Sequence, residues 1–191
     1  MSARPRRRWQ ARLPAVLLLA LPLGAGAADL SLLSDFGQPD IPQAVLGLSG
    51  GSGNVAGIYQ AGDANAARIE QAGNGNNAEV WQTGSNNAAD VSQRGANAEL
   101  RLSQAFSGGL ATLAQDGTGN QMAIQQLGAT AEVNSSQLGD GNQLVLQQQA
   151  NSQFISTQTG NLNQIVVDLP AGVALRVDQV GNGLFFSLHL N

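Results

Sequence analysis

The chain contains no cysteine, no lysine and one histidine, His189, in 191 residues. Without cysteine it has no disulfide, no thiolate nucleophile and no thiolate metal site. A lone histidine next to the end of the chain is a surface residue rather than a catalytic base. Only 4% of the residues are aromatic and 12% are charged. The longest apolar run, Leu13 to Leu23, is too short to span a membrane as a mature helix. The carboxylates do not converge, and most stand at turn or outward positions, so no catalytic, cofactor or metal site is expected.

Positive charge is confined in a telling way. Arg4, Arg6, Arg7, Arg8 and Arg12 precede the apolar run, and Ala25-Gly26-Ala27 follows it. This is the pattern of a secretory signal peptide over residues 1–27, with cleavage between Ala27 and Ala28. Arg7-Arg8 lacks the rest of a twin-arginine motif, which favours the general export route. The remainder keeps four arginines against 13 acidic residues, a net charge of −9. Such a surface repels nucleic acid, whose binding depends on Lys and Arg neutralising phosphates. The expected location is outside the cell.

What the chain has in abundance is glutamine, asparagine and glycine at fixed intervals. Glutamine recurs every 11 residues at Gln60, Gln71, Gln82, Gln93, Gln104, Gln115, Gln126, Gln137 and Gln148. The series continues at Gln158, at Asp168, at Gln179 and at Leu190, with two steps of ten, both placed before Asp168. Six residues before these slots stand Asn54, Asn65, Asn76, Asn87, Asn120 and Asn142. Apolar residues fill the positions four and two before, as in Ala56 and Ile58 or Ala67 and Ile69. Glycine usually follows two after, with Phe106 in place of one. Ser135 and Ser156 stand where branched apolar residues are expected.

These positions share one parity, so on a β-strand they share one face. The alternate positions are mixed in character and read as a solvated face. Gly and Asn clusters after each glutamine supply turns. A hendecad helix would place Gly and Asn in every repeat and does not fit a period of two. The pattern therefore predicts an all-β, cross-β amyloid-type β-solenoid of stacked strand-turn-strand layers, about 22 residues and two strands per layer. It assigns 54–191 to the solenoid and leaves 28–53 as a flexible N-terminal segment. Each inward Gln or Asn amide is expected to bond to its copy one layer up and one down. That arrangement leaves the two ends unsatisfied and open to another chain.

The unit Asn65-x-Ala67-x3-Gln71-x-Gly73-x-x-Asn76-x-Ala78-x3-Gln82-x-Gly84 resembles the curlin repeat. The resemblance implies a structural subunit of extracellular curli-type amyloid fibres in a biofilm matrix. Its implied partners are itself, other curlin subunits, and an outer-membrane secretion pore with accessory proteins of a Gram-negative cell. Val173 to Gln179 and the irregular later repeats look like the minor, fibre-nucleating subunit. The major subunit is the alternative. The final strand, Leu184 to Leu190, carries no amide, and is expected to be the poorer template, suited to docking on an accessory surface protein.

Three other classes of protein fit the sequence less well. A pectinolytic enzyme needs longer coils and binding loops. A calcium-binding repeat protein needs carboxylates in register, whereas Asp63, Asp116 and Asp140 occur in only a few turns. A monomeric solenoid adhesin, such as an ice binder, needs a flat outward array, but Tyr59, Glu70, Trp81 and Ser92 form none.

Overall fold

The computed structural model describes residues 29–34, 43–49 and 51–190. The expected signal peptide 1–27, its cleavage site at Ala27 and Ala28, and the turn 35–42 lie outside those residues. Among the described residues there is no helix. Fifteen strands among them wind into a two-sheet β-solenoid in which successive strands alternate between the sheets.

The first sheet holds β1 (Asp29–Ser34), β3 (Val55–Ala61), β5 (Asn77–Thr83), β7 (Glu99–Ala105), β9 (Gln121–Gln126), β11 (Gln143–Gln148), β13 (Gln164–Leu169) and β15 (Phe185–His189), in that spatial order. The second holds β2 (Gln43–Ser49), β4 (Ala66–Asn74), β6 (Ala88–Ala96), β8 (Leu110–Thr118), β10 (Glu132–Leu138), β12 (Gln153–Thr159) and β14 (Ala174–Val180). All pairs are parallel. Gln60 pairs with Gln82 and Gln71 with Gln93, so from β3 to β11 residue i stacks on residue i+22 and like falls on like.

The inward face follows the period of two. Ala56, Ile58, Ala78, Val80, Leu100 and Leu102 of the first sheet are buried against Ala67, Ile69, Ala89, Val91, Ala111 and Leu113 of the second. Alanine in the first apolar column gives way along the chain to Met122, Leu144 and Phe154. Where Phe154 fills the interior, Ser135 and Ser156 take the neighbouring column, buried and joined hydroxyl to hydroxyl.

The turns explain the regular glycines. Gly73 has φ of +105°, and a Cβ there would stand 1.9 Å from the carbonyl oxygen of Gly95 one coil on. Only glycine fits both the backbone angle and the close approach. Phe106 holds the same slot at φ +94°, in a region that bulky residues rarely occupy.

Three sequence expectations change here. First, the stack begins before Asn54: β1 pairs in register with β3, and β2 with β4. These strands carry leucine and alanine on a period of two without the glutamine that marks the later coils. Second, Asp168 is not in the glutamine column. Gln148 pairs with Leu169, which is fully buried, while Asp168 pairs with Gln147 on the outward face. The second missing residue is lost from the turn after Leu169, through Pro170 to Val173, not from the turn after Gln158. Third, the same shift puts Asn163, fully buried, into the asparagine column in place of exposed Leu162.

Candidate functional site: amide ladders and open ends

The glutamines line up as two ladders inside the solenoid. In the first sheet the Nε2 of Gln60 donates to Oε1 of Gln82 at 2.6 Å, Gln82 to Gln104 at 2.7 Å and Gln104 to Gln126 at 2.8 Å. Gln126 continues to Gln148 at 3.3 Å. In the second sheet the chain of donors runs from Gln71 through Gln93, Gln115, Gln137 and Gln158 to Gln179. All of these glutamines are buried.

Every amide points the same way. Nε2 faces the next coil toward the C-terminus, and Oε1 faces back. From Gln71 to Gln179 each Nε2 also donates to a backbone carbonyl at the start of an earlier strand, as Gln82 does to Ala66 and Gln93 to Asn77. The ladder therefore also ties the two sheets together across the turn. The Oε1 of Gln71 has no hydrogen-bond partner, because its register neighbour in β2 is Leu48, which has no donor. At the other end the second-sheet ladder reaches the last coil at Gln179. The first-sheet ladder ends at Gln148, followed in register by Leu169 and then by Leu190, whose N–H bonds the Asp168 carbonyl.

The asparagines act differently from the expectation of copy-to-copy bonding. Their Oδ1 accepts the backbone N–H of the residue one coil on, as Asn54 does from Asn76 and Asn142 from Asn163. Their Nδ2 donates to turn carbonyls, as Asn65 does to Ala61 and Gly84. Only Asn87 and Asn65 are also joined amide to amide. The side chain is one methylene shorter than glutamine and sits at the corner, where the turn's backbone groups are within reach. Because a backbone N–H is all the acceptor needs, Ala98, Gly109 and Leu184 serve as donors one coil beyond Asn76, Asn87 and Asn163. Asn120 completes this set by bonding the carbonyls of Asp116 and Gly139.

Outside, Arg68 pairs with Glu70 and lies 3.9 Å from Asp90, and Arg101 reaches Glu79 and Glu99. These exposed pairs contribute little each. Tyr59 and Trp81 stack with centroids 4.0 Å apart. His189 sits 3.0 Å from Asp168 on the outward face of the last coil.

The geometry thus repeats a half-coil unit whose full form is Asn, two apolar residues, Gln and Gly. The Curlin associated repeat matches residues 62–95. That match supports the curlin family. It falls on β4, β5 and most of β6, where all five columns are occupied without exception. No curated protein and no solved structure matches the chain.

Among the described residues, the stack is open at its C-terminal end. β14 and β15 are the last strands of their sheets, and each has a neighbour on one side only. Val173, Leu175, Phe186 and Leu188 of this last coil are only partly buried, and Leu184 and Leu190 are exposed. An edge of this kind offers unpaired backbone groups and an uncovered apolar interior to another strand.

Proposed function

We propose that the chain is a structural subunit of an extracellular curli-type fibre, exported by its N-terminal signal and polymerised end to end. The observation that carries this reading is the open last coil, where the second-sheet ladder ends on buried Gln179 and β14 and β15 each lack a neighbour on one side. A buried amide left without a partner costs about 1–3 kcal/mol, and a second stacked chain removes that cost. Soluble solenoids instead carry polar terminal caps, and among the described residues none is present. The curlin repeat over 62–95 supports the same reading. Secretion pore and accessory proteins of the outer membrane are its expected helpers.

Within this function we favour the minor, nucleating subunit. The support is irregularity: Phe106 in a glycine slot, Ser135 and Ser156 in apolar slots, and Leu169 in the glutamine column. The test is assembly of the purified chain, followed by Congo red binding and microscopy. Fibres seeded from a partner curlin by this chain at low ratio support the nucleating role. A chain that remains monomeric alone and with a partner would sink the fibre reading, and the adhesin class would replace it.

A further inference from the structure

Among the described residues the strands number fifteen, an odd count, and this sets how two copies of the stack fit. Odd-numbered strands lie in one sheet and even-numbered strands in the other, each half a coil further along the axis. At the C-terminal end, β14 therefore stops half a coil below β15. At the N-terminal end, β1 stands half a coil below β2. The lowest vacant strand position lies above β14, in the second sheet, and the lowest strand of an incoming copy is β1, from the first sheet.

The geometry points to a fibre in which each copy is rotated by half a turn about the axis relative to its neighbour, so that β1 stacks on β14 and β2 on β15. This rests on the fibre reading above and specifies the partner surface. Without the half turn, β1 meets β15 and a strand position above β14 is vacant or must be shared. Buried backbone groups along that gap would lack partners.

A second observation selects the same arrangement. Extending the register of β1 with β3 and of β2 with β4 across the junction brings Ser34 to the position of Gln179, and Leu48 to that of Leu190. The half turn thus sets a hydroxyl residue beside the one glutamine of the final coil, whose Nε2 faces the C-terminal side. In the other column Leu48 follows Leu169 and Leu190 in register. The unrotated junction brings Ser34 to the position of Leu190 instead and leaves the position above Gln179 without a strand. Seven and a half coils at about 4.8 Å give roughly 36 Å per copy, and the same orientation returns after about 72 Å.

The absence of native cysteine makes disulfide trapping a clean test. The half turn brings register position 31 beside 176, whereas the unrotated junction brings 31 beside 187. Adjacent parallel strands are within the range that a disulfide bridges. The double variants S31C/R176C and S31C/S187C are made in the full chain and added under mild oxidation to seeds of parent fibre, so that a variant slow to nucleate still elongates. A covalent ladder of oligomers from S31C/R176C on a non-reducing gel, with none from S31C/S187C, is the expected result. A ladder from S31C/S187C alone overturns the half turn. Fibres with neither cross-link also overturn it, since β1 would then meet neither strand. If the parent chain forms no fibres under any condition, the fibre reading itself has failed.

Discussion

Gln71 Nε2 donates to Gln93 Oε1 across 2.7 Å, although 22 residues separate them in the chain. The same Nε2 also reaches the Val55 carbonyl at 2.9 Å. One side chain thus holds two coils together and closes a turn. Gln82, fully buried between Gln60 and Gln104, shows what replacement would do. In Gln82→Glu one carboxylate oxygen still accepts from Gln60, but the other faces the Oε1 of Gln104 and the Ala66 carbonyl with no proton to offer. The expected loss is at least about 2 kcal/mol, with fibre formation slowed at neutral pH. Glu70→Gln, on the outward face, should leave both unchanged. Thioflavin kinetics and denaturant midpoints of the two variants decide it, and equal effects would show that the inward assignment is wrong.

The glycine column makes a second prediction. A Cβ at Gly95 would lie 2.0 Å from the Gly117 carbonyl oxygen at a φ of +115°. Gly95→Ala must therefore open the turn, and a loss of about 2–4 kcal/mol is expected from strain and displaced backbone bonds. At Gly119, with φ +67°, nothing stands within 4 Å of an added Cβ. Gly119→Asn should cost under about 1 kcal/mol, because asparagine tolerates that conformation. Thermal unfolding of the two soluble variants is the measurement.

Phe106 runs the same argument backwards. Its φ of +94° and its exposed ring give it backbone strain without the benefit of burial. Phe106→Gly should raise the unfolding midpoint, with a gain of about 1 kcal/mol after the entropy of glycine is deducted. A fall in the midpoint would mean that the ring makes a stabilising contact outside the solenoid interior.

The interior was legible in the sequence wherever a glutamine marked it. An interval of 11 residues and a side-chain period of two placed Gln60 through Gln148 inward without any coordinates. The first coil was hidden because β1 and β2 carry only the apolar half of the pattern, around Leu32 and Leu46. The late register was misplaced by one residue because a ten-residue step does not say which turn is short. Asp168 and Leu169 are adjacent, and only pairing with Gln147 and Gln148 separates their faces. The asparagine bonds could not be read from spacing at all. Glutamine and asparagine have the same end group, and the single methylene between them decides whether the copy or the backbone is within reach.

The corrected register carries its own test in Asn163 and Leu162. Asn163 is fully buried; its Nδ2 donates to the carbonyls of Thr159 at 3.3 Å and Gly181 at 2.8 Å. Its Oδ1 accepts the N–H of Leu184 at 3.1 Å, which holds the turn leading into the last strand. Asn163→Ala strips partners from the Gly181 carbonyl and the Leu184 N–H at once. A loss of about 1–3 kcal/mol is expected, since a buried group without a partner bears its full desolvation penalty. Leu162 is 71% exposed at the tip of the same turn. Leu162→Ala should change stability by no more than about 0.5 kcal/mol. In the proposed fibre the last coil is the surface on which the next copy stacks, so Asn163→Ala should also slow elongation from preformed seeds, while Leu162→Ala elongates at the parent rate. If the two substitutions exchanged these behaviours, Leu162 would occupy the column, Asp168 would return to the glutamine slot, and β13 would have to be turned over.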